Sequence, residues 1–134
     1  MGELEQRIAA FLEGECFAVA GASRDRDKYG NKVLRAYLQS GRRVYAVNPH
    51  EREVEGVRAY ATLSELPEPI HGLSIVTQPD VTERIVDDAI DAGIQRLWMQ
   101  PGAESEDAVL RARAQGLEVI SGGPCVLVAL RYRE

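Results

Sequence analysis

Five short apolar runs recur along this chain, each separated from the next by a stretch with a different periodicity, and that alternation restricts the fold more than any other feature. The runs are CFAVA (16–20), RVYAV (43–47), LSIVT (73–77), QRLWM (95–99) and LEVIS (117–121). Their near-continuous apolar character suits strands covered on both faces, as in parallel sheets. The intervening stretches read as helices. Asn31 to Ser40 puts Val33, Leu34, Tyr37 and Leu38 on one stripe, and Asp80 to Ala92 does the same with Val81, Ile85, Val86, Ala89 and Ile90. Asp80 and Glu83 have capping-box spacing. Further helices are expected at Glu3–Glu13 and Ser105–Gln115, and Gly14, Gly41, Gly93 and Gly116 follow the four helices where a left-handed residue closes the last turn. Strand, helix, strand, repeated with right-handed crossovers, predicts an α/β, Rossmann-like doubly wound fold: a mainly parallel five- or six-stranded sheet with helices on both faces. A length of 134 residues fits one domain with one core. Between His50 and Gly72, VRAY reads as a short extended piece and Thr62 as the cap of a brief helix ending before Pro67. The ending VLVALRYRE fits either a strand or a docked helix.

In such sheets ligands bind outside the carboxyl ends of the strands, where strand order reverses. The amino ends here are plain: Glu15, Arg42, Gly72, Ile94 and Gly116. The carboxyl ends are Gly21-Ala22-Ser23, Val47-Asn48-Pro49, Thr77-Gln78-Pro79, Gln100-Pro101-Gly102 and Ser121-Gly122-Gly123-Pro124, and every one carries Gly, Pro or a short polar side chain. Loops in general favour such residues. Five exits on one predicted edge nevertheless mark it as the candidate site.

The first exit runs into VAGASRDRDKYGNKVLRAYL, residues 19–38. Gly21 lets a ligand or the next helix approach the backbone, and Gly30-Asn31 leads into a helix whose free amides and positive dipole end favour an anion. Ser23 offers a hydroxyl, and Arg24, Arg26 and Lys28 form a local positive cluster on a chain of net charge −5. That combination suits phosphate. A dinucleotide fingerprint G-x-G-x-x-G would need glycines where this chain has Ser23 and Arg26. An NAD site would also need Asp or Glu at the end of the second strand, where Val47-Asn48-Pro49 stands.

Composition removes several classes. Apolar residues make up 45% and charged residues 28%, ordinary for a globular protein. No apolar run reaches the roughly 20 residues of a membrane span, and MGELEQRIAAFLEG lacks the basic start of a secretory signal, so a cytoplasmic protein without a membrane partner is expected. The acidic balance argues against nucleic acid as a partner. Cys16 and Cys125 form neither a disulfide framework nor a metal motif. Cys16 is expected in the core, Cys125 as a small hydrophobe with a minor redox reading, and His50 and His71 on the surface. Trp98 is expected to pack within its strand, and Glu104, Glu106 and Asp107 to decorate a helix start.

Taken in order, V-x-G-A-S, K-Y-G-N, V-N-P, W-M-Q-P-G-A-E-S and a late Gly-rich turn with Cys closely resemble the small stand-alone CoA-binding domain proteins. Their fold is similar to the amino-terminal CoA-binding domain of the succinyl-CoA synthetase α subunit. The resemblance runs from about Glu3 to Cys125 and is carried most specifically by Trp98 to Ser105. It implies coenzyme A or an acyl-CoA across the carboxyl edge. The phosphates would lie on Gly21, Ala22 and Ser23 with Lys28, Tyr29 and Gly30, beside Arg24 and Asn31. Val47, Asn48 and Pro49 would flank the adenosine, Thr77, Gln78 and Pro79 would lie along the ligand, and Gln100, Pro101 and Gly102 would face the pantetheine arm. One departure is Pro124, where relatives usually carry Arg before the late Cys.

No Ser/His/Asp set, Walker loop or metal cluster is visible, and the chain is too short for the further domains of the synthetase. The expectation is therefore a non-catalytic carrier, sensor or regulatory module, monomer or homodimer, with room for a protein partner. Two alternatives stay open: a small enzyme acting on a CoA thioester with a site completed by another subunit, and an NAD(P)-binding regulator.

Overall fold

The computed structural model describes residues 2–134. Seven strands form one sheet in the order β3-β4-β2-β1-β5-β6-β7: β1 Cys16–Ala20, β2 Arg43–Val47, β3 Glu53–Val54, β4 Val57–Tyr60, β5 Gly72–Ile75, β6 Arg96–Met99 and β7 Glu118–Ile120. All neighbours are parallel except β3 and β4. The helices are α1 Glu3–Leu12, α2 Tyr29–Gln39, α3 Pro79–Asp91, α4 Glu106–Ala114 and α5 Val126–Ala129. This is the expected Rossmann-like doubly wound fold, one strand richer than expected. Among the described residues no helix is long and apolar enough to cross a membrane.

The sheet separates two apolar layers. Ala18, Ala20, Leu73, Ile75, Leu97 and Met99 face α3 and α4 through Val86, Ala89, Ala108 and Ala112. Phe17, Val19 and Trp98 lie on the other side with Phe11 of α1 and Val33, Leu34 and Tyr37 of α2. One layer per face explains why every residue of β1 and β5 is buried and why those strands read as apolar runs. Trp98 is fully enclosed, its edge on Phe11 at 5.3 Å and its Nε1 donating to Pro124 O at 2.9 Å. Burying a ring of that size contributes roughly 3 kcal/mol. The buried Tyr37 hydroxyl is satisfied by Ser74 Oγ at 2.6 Å.

Local expectations meet the structure unevenly. VRAY is β4, Thr62 and Glu65 make a reciprocal capping box on a 3₁₀ turn at Leu63–Glu65, and the chain's last apolar run docks as the short helix α5. The Asp80–Glu83 box does not form: α3 begins one residue earlier, with Pro79 in its first turn and Gln78 as N-cap. Proline's fixed φ suits that position and moves the boundary. Gly41, Gly93 and Gly116 are left-handed, but Gly14 is not. Gly14 instead makes room for His71, whose ring carbons would lie 2.0 Å from an added Cβ. His71 is accordingly half-buried and not a surface residue: Nε2 lies 2.9 Å from Ala10 O and the ring meets Phe17 edge-on. His50 is exposed and Cys16 is buried, as expected.

Candidate functional site

The order reverses at β1, which has β2 on one side and β5 on the other. A cleft of about 470 Å³ opens at that carboxyl edge. Gly21 and Ser23 line it from the β1 exit, Lys28, Tyr29 and Gly30 from the start of α2, and Asn48 from the β2 exit. Val76, Thr77 and Gln78 come from the β5 exit, and Pro101, Gly102 and Ala103 from the β6 exit.

The way α2 begins decides what the cleft offers. Lys28 occupies the N-cap, no side chain caps the helix, and the first turn has no acid. The Asn31 and Lys32 amides bond Lys28 O, each at 3.2 Å. The first two amides of the helix, Tyr29 and Gly30, have no partner available within it, and both residues line the cleft. Amides without helical partners, a helix dipole end and the Lys28 ammonium are together the features that favour an anion.

Two glycines bring that helix against the sheet. A Cβ on Gly30 would stand 2.0 Å from Gly21 O, and one on Gly21 would stand 2.2 Å from Val76 O, with Gly21 already at φ +92. Their first duty is therefore to seat strand, helix and neighbouring strand together. The cleft's floor follows from that contact.

Several predicted site residues build the loop without lining the cleft. Ala22 and Asn31 are fully buried. Asn31 Nδ2 donates to Ser23 O at 2.8 Å and Glu55 Oε2 at 3.0 Å, while its Oδ1 accepts from Arg35 Nε at 2.6 Å. Asn48 lines the cleft and also holds the loop: its Nδ2 donates to Ala22 O at 2.7 Å, and its Oδ1 accepts from the His50 amide at 2.8 Å. Val47 is in the core and cannot supply a ledge for adenine, and the exposed Pro49 and Pro79 lie outside the cleft's lining. Gln100 is fully buried: its Oε1 accepts from the Val126 amide at 2.9 Å, and among the described residues its Nε2 has no hydrogen-bond partner. Gly102 lines the cleft, but its amide is already held by Glu104 Oε1 at 2.8 Å.

The expected cluster of three cations reduces to one. Arg24 Nε stands 4.0 Å from Glu51 and Arg26 Nε 3.5 Å from Glu55, and of Arg24, Arg26 and Lys28 only Lys28 lines the cleft. Sequence reading missed Glu51 and Glu55 because each lies nearly 30 residues from its partner, where spacing carries no information. It also missed the contact between Tyr29 Oη and Cys125 Sγ, which places this thiol against a cleft residue. Burial and that contact push the Tyr29 phenol well above its ordinary range. Val76 and Ala103 carried no signal beyond their neighbours.

Comparisons with known proteins agree with this geometry. Protein YneT of Bacillus subtilis is 27% identical over 112 residues, covering 84% of this chain and 82% of that protein. The alpha subunit of the ADP-forming acetate–CoA ligase II of Pyrococcus furiosus is 30% identical over 128 residues, covering 87% of this chain but 28% of the subunit. This chain thus spans less than a third of that relative's length. A conserved hypothetical protein of Pyrococcus furiosus superposes with a TM-score of 0.82 at 36% identity, covering 87% of this chain and 99% of that one. A hypothetical protein of Pyrococcus horikoshii OT3 does so with a TM-score of 0.88 at 26% identity, covering 95% and 89%. Residues 15–131 match the family described as the CoA binding domain, and the chain belongs to that family.

Proposed function

We propose that this protein binds coenzyme A or an acyl-CoA in the cleft at the β1–β5 switch point, as a one-domain, non-catalytic carrier, sensor or regulatory module of the cytoplasm. The observation that carries the reading is the open start of α2: two cleft-lining amides without helical partners, beside Lys28 and Ser23. The pyrophosphate of the ligand belongs there, because a helix start with no capping side chain and no acid is stabilised by an external anion. The pantetheine arm then runs past the β5 and β6 exits, along Thr77, Gln78 and Pro101. The match to one part of a larger acetate–CoA ligase subunit supports a binding unit that serves chemistry carried out elsewhere.

A thermal-shift series with CoA, acetyl-CoA, NAD and NADP at millimolar concentration tests the reading. A ligand that binds only the folded form raises its apparent stability by about 2.7 kcal/mol at a hundred times its Kd. The CoA species should raise the melting temperature and the nicotinamide nucleotides should not. A larger shift with NAD, or silence with CoA, would replace this function.

A further inference from the structure

A second cleft, of about 500 Å³, adjoins the β2 exit and is lined by Arg24, His50, Glu51, Arg52, Glu53 and Glu55. Glu51, four residues past the end of β2, is one of these. The residue follows the Asn48 turn directly, its Oε2 accepts the Arg24 amide at 3.1 Å, and its side chain is only 20% exposed. The loop that leaves β1 therefore already holds an anion at this point, supplied by the chain itself. The same carboxylate lies 4.0 Å from Arg24 Nε, so the charge of that largely exposed guanidinium is partly offset. Of the formal charges lining the cleft, Arg24 and Arg52 are outnumbered by Glu51, Glu53 and Glu55.

In a doubly wound sheet the nucleoside of a bound ligand lies toward the exit of the strand after the phosphate loop, here β2. A carboxylate at that place accepts a hydrogen bond from the ribose 2′-hydroxyl, beside the 3′-oxygen that carries the phosphate in coenzyme A. It holds more lone pairs than the Arg24 amide uses. A phosphomonoester is mostly dianionic at neutral pH and is repelled.

Resting on the coenzyme A reading above, we infer that Glu51 is a specificity-determining residue that makes the nucleotide end of the site accept a ribose with both hydroxyls free and disfavour one carrying a phosphate. The ligand class is then a pantetheine-bearing adenosine diphosphate, with the ribose phosphate of coenzyme A tolerated and not required.

Isothermal titration of wild type and Glu51→Gln with CoA and with dephospho-CoA tests this, since the two ligands differ only in the ribose phosphate. Glutamine keeps an acceptor for the Arg24 amide and removes the charge. Wild type should bind dephospho-CoA at least as tightly as CoA, and E51Q should move the ratio of the two affinities toward CoA by about fivefold, the scale of one partly exposed charge pair. A wild-type preference for CoA of about tenfold or more overturns the inference without recourse to the variant. So does a ratio unmoved in a folded E51Q, and in both cases the coenzyme A reading stands. Failure of wild type to bind either ligand overturns that reading, and this inference with it.

Discussion

Helices α2 and α4 both start at the carboxyl edge of the sheet, yet they end their first turns in opposite ways. At α4 the chain satisfies itself: Ser105 Oγ accepts the Ala108 amide at 3.3 Å, and Glu106 and Asp107 put negative charge in the first turn. At α2 it does not: Lys28 occupies the cap, no side chain reaches back, and no acid follows. A capping side chain stabilises a helix start by about 1 kcal/mol, and acids in the first turn by a further 0.3–1 kcal/mol or so. The contrast singles out α2 as the helix start at the cleft that has neither a capping side chain nor a first-turn acid and has Lys28 at its cap. On the proposed reading, stability available from the chain's own side chains is left for an external anion at α2 and is taken up by Ser105 at α4.

The largest effect is expected at the joint that lets α2 approach the cleft. Gly30→Ala places a Cβ 2.0 Å from Gly21 O. Urea denaturation should show a loss of about 2–3 kcal/mol with the slope unchanged, since a backbone carbonyl cannot rotate away as a side chain can. Lys28→Asp would convert α2 to the α4 pattern. Lys28 has the extended backbone of an N-cap, so the variant should gain about 0.5–1 kcal/mol of stability while CoA binds about tenfold more weakly by calorimetry. Gains in both stability and affinity would break the comparison. Ser105→Ala, the complementary change, should cost about 1 kcal/mol in thermal melts and leave the CoA affinity unmoved.

How far these features are legible in the sequence depends on the range of the interaction. The strands β1 and β2 and the mainly parallel sheet follow from apolar runs that any reader of the chain can mark, because burial on both faces is written locally. The strand β3 is not. Its hairpin to β4 turns on Glu55 and Gly56, both at positive φ, 50 and 81. Such a turn is signalled by Asn-Gly or Asp-Gly, and glutamate in the first place hides it. Within the cleft, the glycines and prolines of the exits mark the edge correctly, but Gln100 and Val47 sit at the same exits and are buried. Which side of a strand a residue faces at its last turn depends on the loop that follows. The pairing of Arg24 with Glu51 and of Arg26 with Glu55 joins residues far apart in the chain and exists only once the β3–β4 hairpin has folded back over the first loop.

Asn31 carries that fold-back further. One buried carboxamide on α2 joins the Ser23 carbonyl, the Glu55 carboxylate of the hairpin turn and the Arg35 guanidinium of its own helix, so loop, hairpin turn and helix are linked at a single side chain. The loop after β1 and a hairpin turn some distance along the chain thereby share one point of attachment. A molecule that steadies the loop after β1 steadies the outermost strand of the sheet as well.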